Sequence, residues 1–330
     1  MKNRLNSKTS HFTPPERVAL PILLATISCV VSLVLVIINS FWRPVTDSLL
    51  SLAVAQILAF LVPCYLFVLL SLQDKPLKDQ FKEMGLVSFD LSSIFFIIFA
   101  SLFMMCASIL LEILLGGTYL LSDGFTLMGA FTAGDNEFSS SLPYLILLYV
   151  VIPSVLEELL LRGIMFNQVR RVNFVLGIIV SAFVSAILEF SLGGFVPAFF
   201  CGVMFAWIFY TTSSLFSCMI VHFLFNLYRL LLECNIAAYF HSVNNNILLI
   251  SMLLVALLVS GILFFGESAK LYRQKALDVY EKRKPTMNAS LSLKELACDI
   301  KRILAFTPSL ICFIITLAAY VTVIMLRSIA

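Results

Sequence analysis

The sequence predicts an all-α protein: a polytopic transmembrane helical bundle of about nine spans, with eight as the fallback count. Three observations predict it. Of the 330 residues, 61% are hydrophobic and only 12% are charged, against about 45–50% and about 25% in soluble domains. The apolar residues gather in runs of about 20, the length a helix needs to cross hydrocarbon. Lysine and arginine collect in alternate loops, the pattern that sets orientation across a bilayer.

The runs follow in order. A basic tail, 1–17, holds Lys2, Arg4, Lys8 and Arg17. The first run, 18–41, is too long for the core of a cleavable signal peptide and reads as a signal anchor. The second, 48–72, ends at Lys75, Lys78 and Lys82. The third, 91–115, leads into a loop at 117–141 with no Lys or Arg but with Asp123, Asp135 and Glu137. The fourth, 143–168, ends at Arg170 and Arg171. Runs at 173–190, 194–211 and 214–233 follow, and the loop at 234–245 again lacks Lys and Arg. The eighth run, 246–266, opens into a basic stretch, 267–304, and the last run is 305–326. The long loops agree on one orientation: an integral protein of the cell membrane, N-terminus cytosolic and C-terminus outside.

The chain therefore divides into N-terminal transmembrane helices (18–140), a helical core (141–233), an eighth span (234–266), a basic cytosolic connector (267–304) and a C-terminal span (305–330). The connector mixes basic residues with Leu271, Tyr272, Leu277, Val279 and Tyr280. It reads either as an amphipathic helix on an anionic membrane face or as a solvated linker. Asn288-Ala289-Ser290 has the spacing of a glycosylation acceptor but falls on the cytosolic side. The eight cysteines show no CxxC spacing and no Cys/His cluster, and read as small core hydrophobes. The net charge of +3 is small. The bilayer is the expected partner and nucleic acid is not.

Against this background the fourth run is anomalous. Glu157, Glu158 and Arg162 lie inside an apolar stretch from Leu142 to Gly163. A charge at the centre of a span costs roughly 2.5–3.5 kcal/mol on insertion scales and marks a pathway, a pair or a reaction centre. Glu189 stands in the fifth run, and His222 and Asn226 in the seventh. At about 1.5 Å of rise per residue, Glu157 lies roughly 20 Å from the cytosolic edge, Glu189 about 24 Å, His222 about 12 Å and Asn226 about 18 Å. These depths let three helices contribute to one buried pocket.

Helical spacing divides the work. Glu158 and Arg162 are i, i+4 and pair on one face. Glu157 points about 100° away and is left without that partner. His222 and Asn226 form one polar ledge, and Arg229 with Glu233 reads as a separate structural pair near the outer surface. A carboxylate in low dielectric suits a general base for water. A histidine and an amide at the same depth suit a developing oxyanion. The residues alone leave catalysis, proton relay or transport, and structural pairing all open.

At these positions the chain resembles the CPBP family of intramembrane endopeptidases, which includes the CAAX prenyl proteases and bacteriocin-processing and self-immunity proteins. The family's Glu-Glu-x-x-x-Arg stands here as Glu157-Glu158-Leu-Leu-Leu-Arg162, followed by Gly163. Its His-x-x-x-Asn stands as His222-Phe-Leu-Phe-Asn226. The resemblance covers roughly residues 140–230. It implies that Glu157 activates water, that Glu158 and Arg162 support it, and that His222 and Asn226 stabilise the oxyanion. The middle motif departs: Ser181 aligns, but Ser185 stands where Phe is usual and Glu189 where a water-activating His is usual.

Three readings of Glu189 stay open. It shares a proton with Glu157 as a carboxylate dyad, it joins Glu157 and His222 around a divalent metal such as zinc, or the site has lost hydrolysis. No cofactor is the favoured expectation. The function expected is hydrolysis of a peptide bond in a membrane-associated peptide: a lipidated CAAX-like tail, a leader peptide or a membrane-protein segment. The alternatives are a catalytically degenerate binding or immunity protein of the same fold, and a transporter. A transporter predicts broken helices in two matching halves, which the sequence does not display.

Overall fold

A computed structural model describes residues 14–42, 54, 56–115, 143, 146–189, 192–231, 246–282, 297–298, 301 and 307–329. The described residues form ten helices and no strand. They are α1 (Pro14–Trp42), α2 (Ile57–Leu72), α3 (Leu77–Glu83), α4 (Ile94–Leu114), α5 (146–169), α6 (Phe174–Leu188), α7 (Leu192–Thr212), α8 (Leu215–Leu231), α9 (Asn246–Lys282) and α10 (Thr307–Ile329). The all-α bundle predicted from the sequence is the architecture found. The loops at 117–141 and 234–245, and Asn288, lie outside the described residues.

Each predicted run is helical where it is described. By length and apolarity alone, Leu91–Leu114, Gly193–Thr212 and Ile247–Gln274 suffice to cross a membrane, and α2 joins them if it is counted with α3, from which it is bent by 114°. The apolar stretches of α1, α6, α8 and α10 are shorter. Outer helices expose their apolar sides: Ile247, Val255, Leu258 and Ile262 on α9, and Ile311 and Ile314 on α10, are each more than half exposed. In water such a face would drive association, whereas in lipid it is the solvated surface.

Two boundaries differ from expectation. The eighth span and the start of the basic connector are one continuous helix, since α9 runs through Lys270 and Arg273 to Lys282. Helical hydrogen bonding carries on through Gly266 where the residues turn polar, because polarity does not interrupt a helix and no proline stands there to end it. The four residues Pro14–Arg17, assigned to the tail, form the first turn of α1.

Prolines shape α2 and α5. Pro63 and Pro153 each stand at the second residue of an α-helical segment, and each segment follows a π-helical stretch, Ile57–Leu61 and Ile146–Val151. A proline lacks the N–H for the i−4 carbonyl and crowds it, and a widened turn relieves that crowding. In α5 a second π-helical stretch, Leu159–Phe166, follows the glutamate pair.

At the core, α4 packs against α7, α8 and α9, while α6 packs against α5 and α7, and α1 against α10. The largest cluster joins Phe96 and Met104 of α4 to Phe205 and Phe209 of α7 and Cys218, Val221 and Phe225 of α8. Six of the seven described cysteines are buried as free thiols and Cys298 is exposed, so the expectation of core hydrophobes holds for six. Arg229 donates to Glu112 of α4 at 2.8 Å. The predicted partner, Glu233, lies outside the described residues. The bundle brings α4 beside α8, so a cross-helix carboxylate takes the guanidinium.

Two contacts hold the core helices in place. Gly202 of α7 faces Ala182 of α6 so closely that an added Cβ would stand 2.6 Å from the Ala182 Cα. The obstacle is backbone, so Gly202→Ala must push α6 and α7 apart. A loss of about 1–3 kcal/mol is expected, as for overpacked cores, read as a lowered melting midpoint in detergent. An unchanged midpoint would refute the close approach. At the end of α5, Glu83 of α3 accepts from Arg171 at 2.6 Å and Lys75 at 3.0 Å. Burial raises the Glu83 carboxyl, but the hydrogen bonds from Arg171 and Lys75 outweigh it and hold it below its ordinary 4.5. A depressed carboxyl stabilises the fold above its unfolded value, and the contribution vanishes as pH falls through the folded value. Amide exchange in α3 should therefore quicken as pH drops below 4.5, after correction for intrinsic rates, and the acceleration should be absent in Glu83→Gln.

Candidate active site

The site is built where α5, α6, α7 and α8 meet. Glu158 is fully buried, and its Oε1 accepts two hydrogen bonds at 2.9 Å, one from Arg162 Nη1 and one from His222 Nδ1. The Arg162 pair is the i, i+4 pair the sequence predicts. The His222 contact joins α5 to α8 and was not readable from spacing.

Arg162 is 1% exposed and fully engaged on one edge. Its Nη2 donates to Ser185 Oγ at 3.2 Å and to the Gly202 carbonyl at 3.3 Å. Its guanidinium lies 4.8 Å from the centre of the Phe205 ring. That ring also lies 4.8 Å from the His222 imidazole, tilted by 34°. Phe205 thus packs against both partners of Glu158, with a cation–π contribution to Arg162. Ser185 in turn donates to the Ser181 carbonyl at 3.0 Å, and Ser181 donates to the Leu161 carbonyl at 3.2 Å. The two α6 serines tie that helix to α5 beside Arg162.

Ser185, Gly202 and Phe205 are the site residues that sequence reasoning missed. The one signal available was Ser185 at a position where the resembling family has Phe: a small hydroxyl there leaves room for a guanidinium and gives it an acceptor. Gly163 packs its missing side chain against Leu215 and the Met84 carbonyl, at 3.0 and 3.1 Å from where a Cβ would be. It lets α8 and the turn before α4 approach α5.

Glu157 is half-buried and makes no hydrogen bond or ion pair among the described residues. The charged groups within its electrostatic reach are His222, Glu158 and Arg162. It therefore borders the cluster without being consumed by it. Asn226, one turn beyond His222, is also half-buried and makes no hydrogen bond among the described residues. Two polar atoms of the cluster itself are buried without partners, Glu158 Oε2 and Arg162 Nε.

Glu189 stands apart. It follows the last residue of α6, and its side chain lies against Gly194, where an added Cβ would be 2.7 Å from the Glu189 Cγ. Tyr320 and Cys201 are within its electrostatic reach, and it is not among the charges acting on Glu157. No group of three or more His, Cys, Asp or Glu capable of holding a metal occurs among the described residues. The expected set of Glu157, Glu189 and His222 is thus not gathered, and the shared-proton dyad finds no support. The physical reason is the end of α6: the chain turns toward α7 at Glu189, and the carboxylate follows that turn.

Fold and site together define a helical membrane bundle with an ionisable cluster set inside it. Residues 139–228 match the family model of the Rce1-like type II CAAX prenyl endopeptidases, so the chain carries a CAAX protease family domain. The matched segment spans α5 to α8 and contains both motifs, about a quarter of the chain. No curated protein and no solved structure is significantly similar to it.

Proposed function

We propose that this protein is an intramembrane endopeptidase that hydrolyses a peptide bond in a membrane-associated peptide, with water activated by Glu157. The observation that carries this reading is the asymmetry of the glutamate pair. Glu158 is committed to Arg162 and His222, while the adjacent Glu157 has no hydrogen-bond or ion-pair partner among the described residues and is half-buried beside them.

The chemistry balances with these residues alone. Glu157 carboxylate takes a proton from water as the oxygen attacks the peptide carbonyl. The oxyanion forms beside α8, where the Asn226 amide and His222 Nε2, the ring nitrogen not held by Glu158, supply donors when the ring is protonated. Glu158 fixes the ring by accepting from Nδ1. Glu157 then passes its proton to the leaving amine, and acid and amine products result. Arg162 neutralises Glu158.

The substrate classes that suit the site are prenylated CAAX-type tails and leader peptides, in the cell membrane with the N-terminus cytosolic. A second reading is a binding or immunity protein that keeps the fold without hydrolysis. It is favoured by Glu189, which stands where the resembling family has a histidine and lies off the cluster. Purified protein offered a library of farnesylated CAAX-type and leader peptides, read by mass spectrometry, separates them. Cleaved products support the peptidase, and bound but intact peptides across the library overturn it in favour of the second reading.

A further inference from the structure

The long helix α9 has two sides of different character. Its inner side is held by packing. Leu253 and Phe264 belong to the largest core cluster and Leu271 packs against it. Ser268 accepts from Trp207 Nε1 of α7 at 3.2 Å. Phe264 stacks on Phe96 and Phe103 of α4, with ring centres 5.3 and 5.5 Å apart. These contacts fix the rotation of the helix. A helix turns by about 100° per residue, so Val255, Val259, Ile262, Gly266, Lys270 and Arg273 fall on the opposite side. The first three are each more than half exposed, and the last three are exposed as well.

The outer side changes along its length. From Ile247 to Phe265 the helix carries no charge for about 27 Å, close to the roughly 30 Å of a hydrocarbon core. Lys270 stands about 7 Å beyond Phe265 and Arg273 about 12 Å. Helical side chains slant toward the N-terminus, here back toward the hydrocarbon, so both cations reach the headgroup layer. A groove of about 430 Å³ lies at this level, within the range of small-molecule sites. Among the described residues it is lined by Gly266, Ala269, Lys270, Arg273 and Gln274. Its floor is open: a Cβ added to Gly266 would meet nothing within 4 Å. Lys270 pairs with Glu267 at 2.5 Å, whereas Arg273 makes no ion pair among the described residues.

We infer that this groove binds an anionic phospholipid, with the phosphate held by Lys270 and Arg273 and an acyl chain along Ile262, Val259 and Val255. The site stands whether or not the protein cleaves peptides. Arg273 offers the planar fork of N–H donors that suits phosphate oxygens, and Lys270 adds a point charge. The Gln274 amide donates to a headgroup ester or hydroxyl. Glu267 neutralises part of Lys270, so the free guanidinium supplies the net charge that selects an anion. A zwitterionic headgroup brings its own cation to the same place and gains less. The acyl chain meets a surface that is already the lipid-facing side of the span. A second copy of the chain suits the groove less well, because a two-fold axis would set the same cations against each other.

The test titrates the full chain in detergent with phosphatidylglycerol or phosphatidylcholine. Bound lipid is read by native mass spectrometry and stability by the melting midpoint. Phosphatidylglycerol should bind more tightly and raise the midpoint, as any ligand of the folded state does. Lys270→Gln and Arg273→Gln should each weaken it roughly fivefold, the usual weight of one basic residue at an anionic surface. Gly266→Trp keeps both cations and fills the groove. It should weaken phosphatidylglycerol at least as much, with the lipid-free midpoint unchanged, because a Cβ there meets nothing. The double change Lys78→Gln with Lys82→Gln, at exposed positions of α3, is the control and should bind as the parent does. An equal loss in that control would mean diffuse attraction and overturn the site, as would equal binding of the two lipids. Competition by glycerol 1-phosphate would assign the groove to a soluble phosphate and overturn the lipid. A dimer broken by Gly266→Trp, with phosphatidylglycerol affinity intact, would overturn it in favour of a second copy.

Discussion

Glu157→Gln should lower peptide cleavage by roughly 10²–10⁴-fold, the usual weight of a general base, while leaving the protein folded. The two halves of that expectation have different grounds. Activity falls because the amide cannot take a proton from water. The fold survives because Glu157 makes no hydrogen bond or ion pair among the described residues, so no partner is stranded. Glutamine also relieves a half-buried carboxylate, so the melting midpoint should hold or rise slightly. The same substitution at Glu158 differs in kind: it strands Arg162 and His222, and loses stability and activity together. Peptide cleavage measured beside thermal melting distinguishes the neighbours. Full activity in Glu157→Gln would end the assignment of Glu157 as base, and a collapse of its fold would show that the residue is structural.

That contrast between adjacent residues was largely readable in the sequence. Three charges in an apolar run demand a pair, i, i+4 geometry selects Glu158 with Arg162, and Glu157 is left over. Helix positions followed from apolar runs for the same reason: hydrophobic length is a property of the chain alone. What the sequence withheld concerns rotation of one helix against another. Depth placed His222 within reach of the glutamates, but only the packing of α8 on α5 chooses Glu158 as its partner. Arg229 was assigned a partner on its own helix because local spacing is all a sequence offers, and packing adds a pair across to Glu112 of α4. Glu189 was assigned to the site by its depth in the fifth run, yet α6 ends there and carries its side chain toward Gly194. The π-helical turns before Pro63 and Pro153 shift the rotation of all that follows them, and no count of 3.6 residues anticipates that.

Arg162→Met should be the most damaging single change to the fold. The guanidinium is almost wholly buried and carries contacts to Glu158, Ser185, the Gly202 carbonyl and the Phe205 face. Removing it leaves a buried carboxylate with only His222 beside it. Breaking one side of a buried pair costs about 3–5 kcal/mol, set against a total stability of about 5–15 kcal/mol for a typical domain. A sharp fall in folded yield and melting midpoint is the expected result. The pairing itself is tested by the double change Glu158→Gln with Arg162→Met, which removes both charges. If the loss arises from an uncompensated Glu158, the double variant should recover much of the stability of the single one while staying poorly active, because His222 loses the carboxylate that orients it. Arg162→Lys adds a geometric test. An ammonium keeps the charge but lacks the planar fork that reaches Glu158 through Nη1 and α6 and α7 through Nη2. It should fall between wild type and Arg162→Met. A lysine variant as stable as wild type would mean that charge alone matters and that the bonds to Ser185 and Gly202 contribute little. A double variant no more stable than Arg162→Met would mean that the arginine acts by filling space against Phe205 rather than by neutralising Glu158.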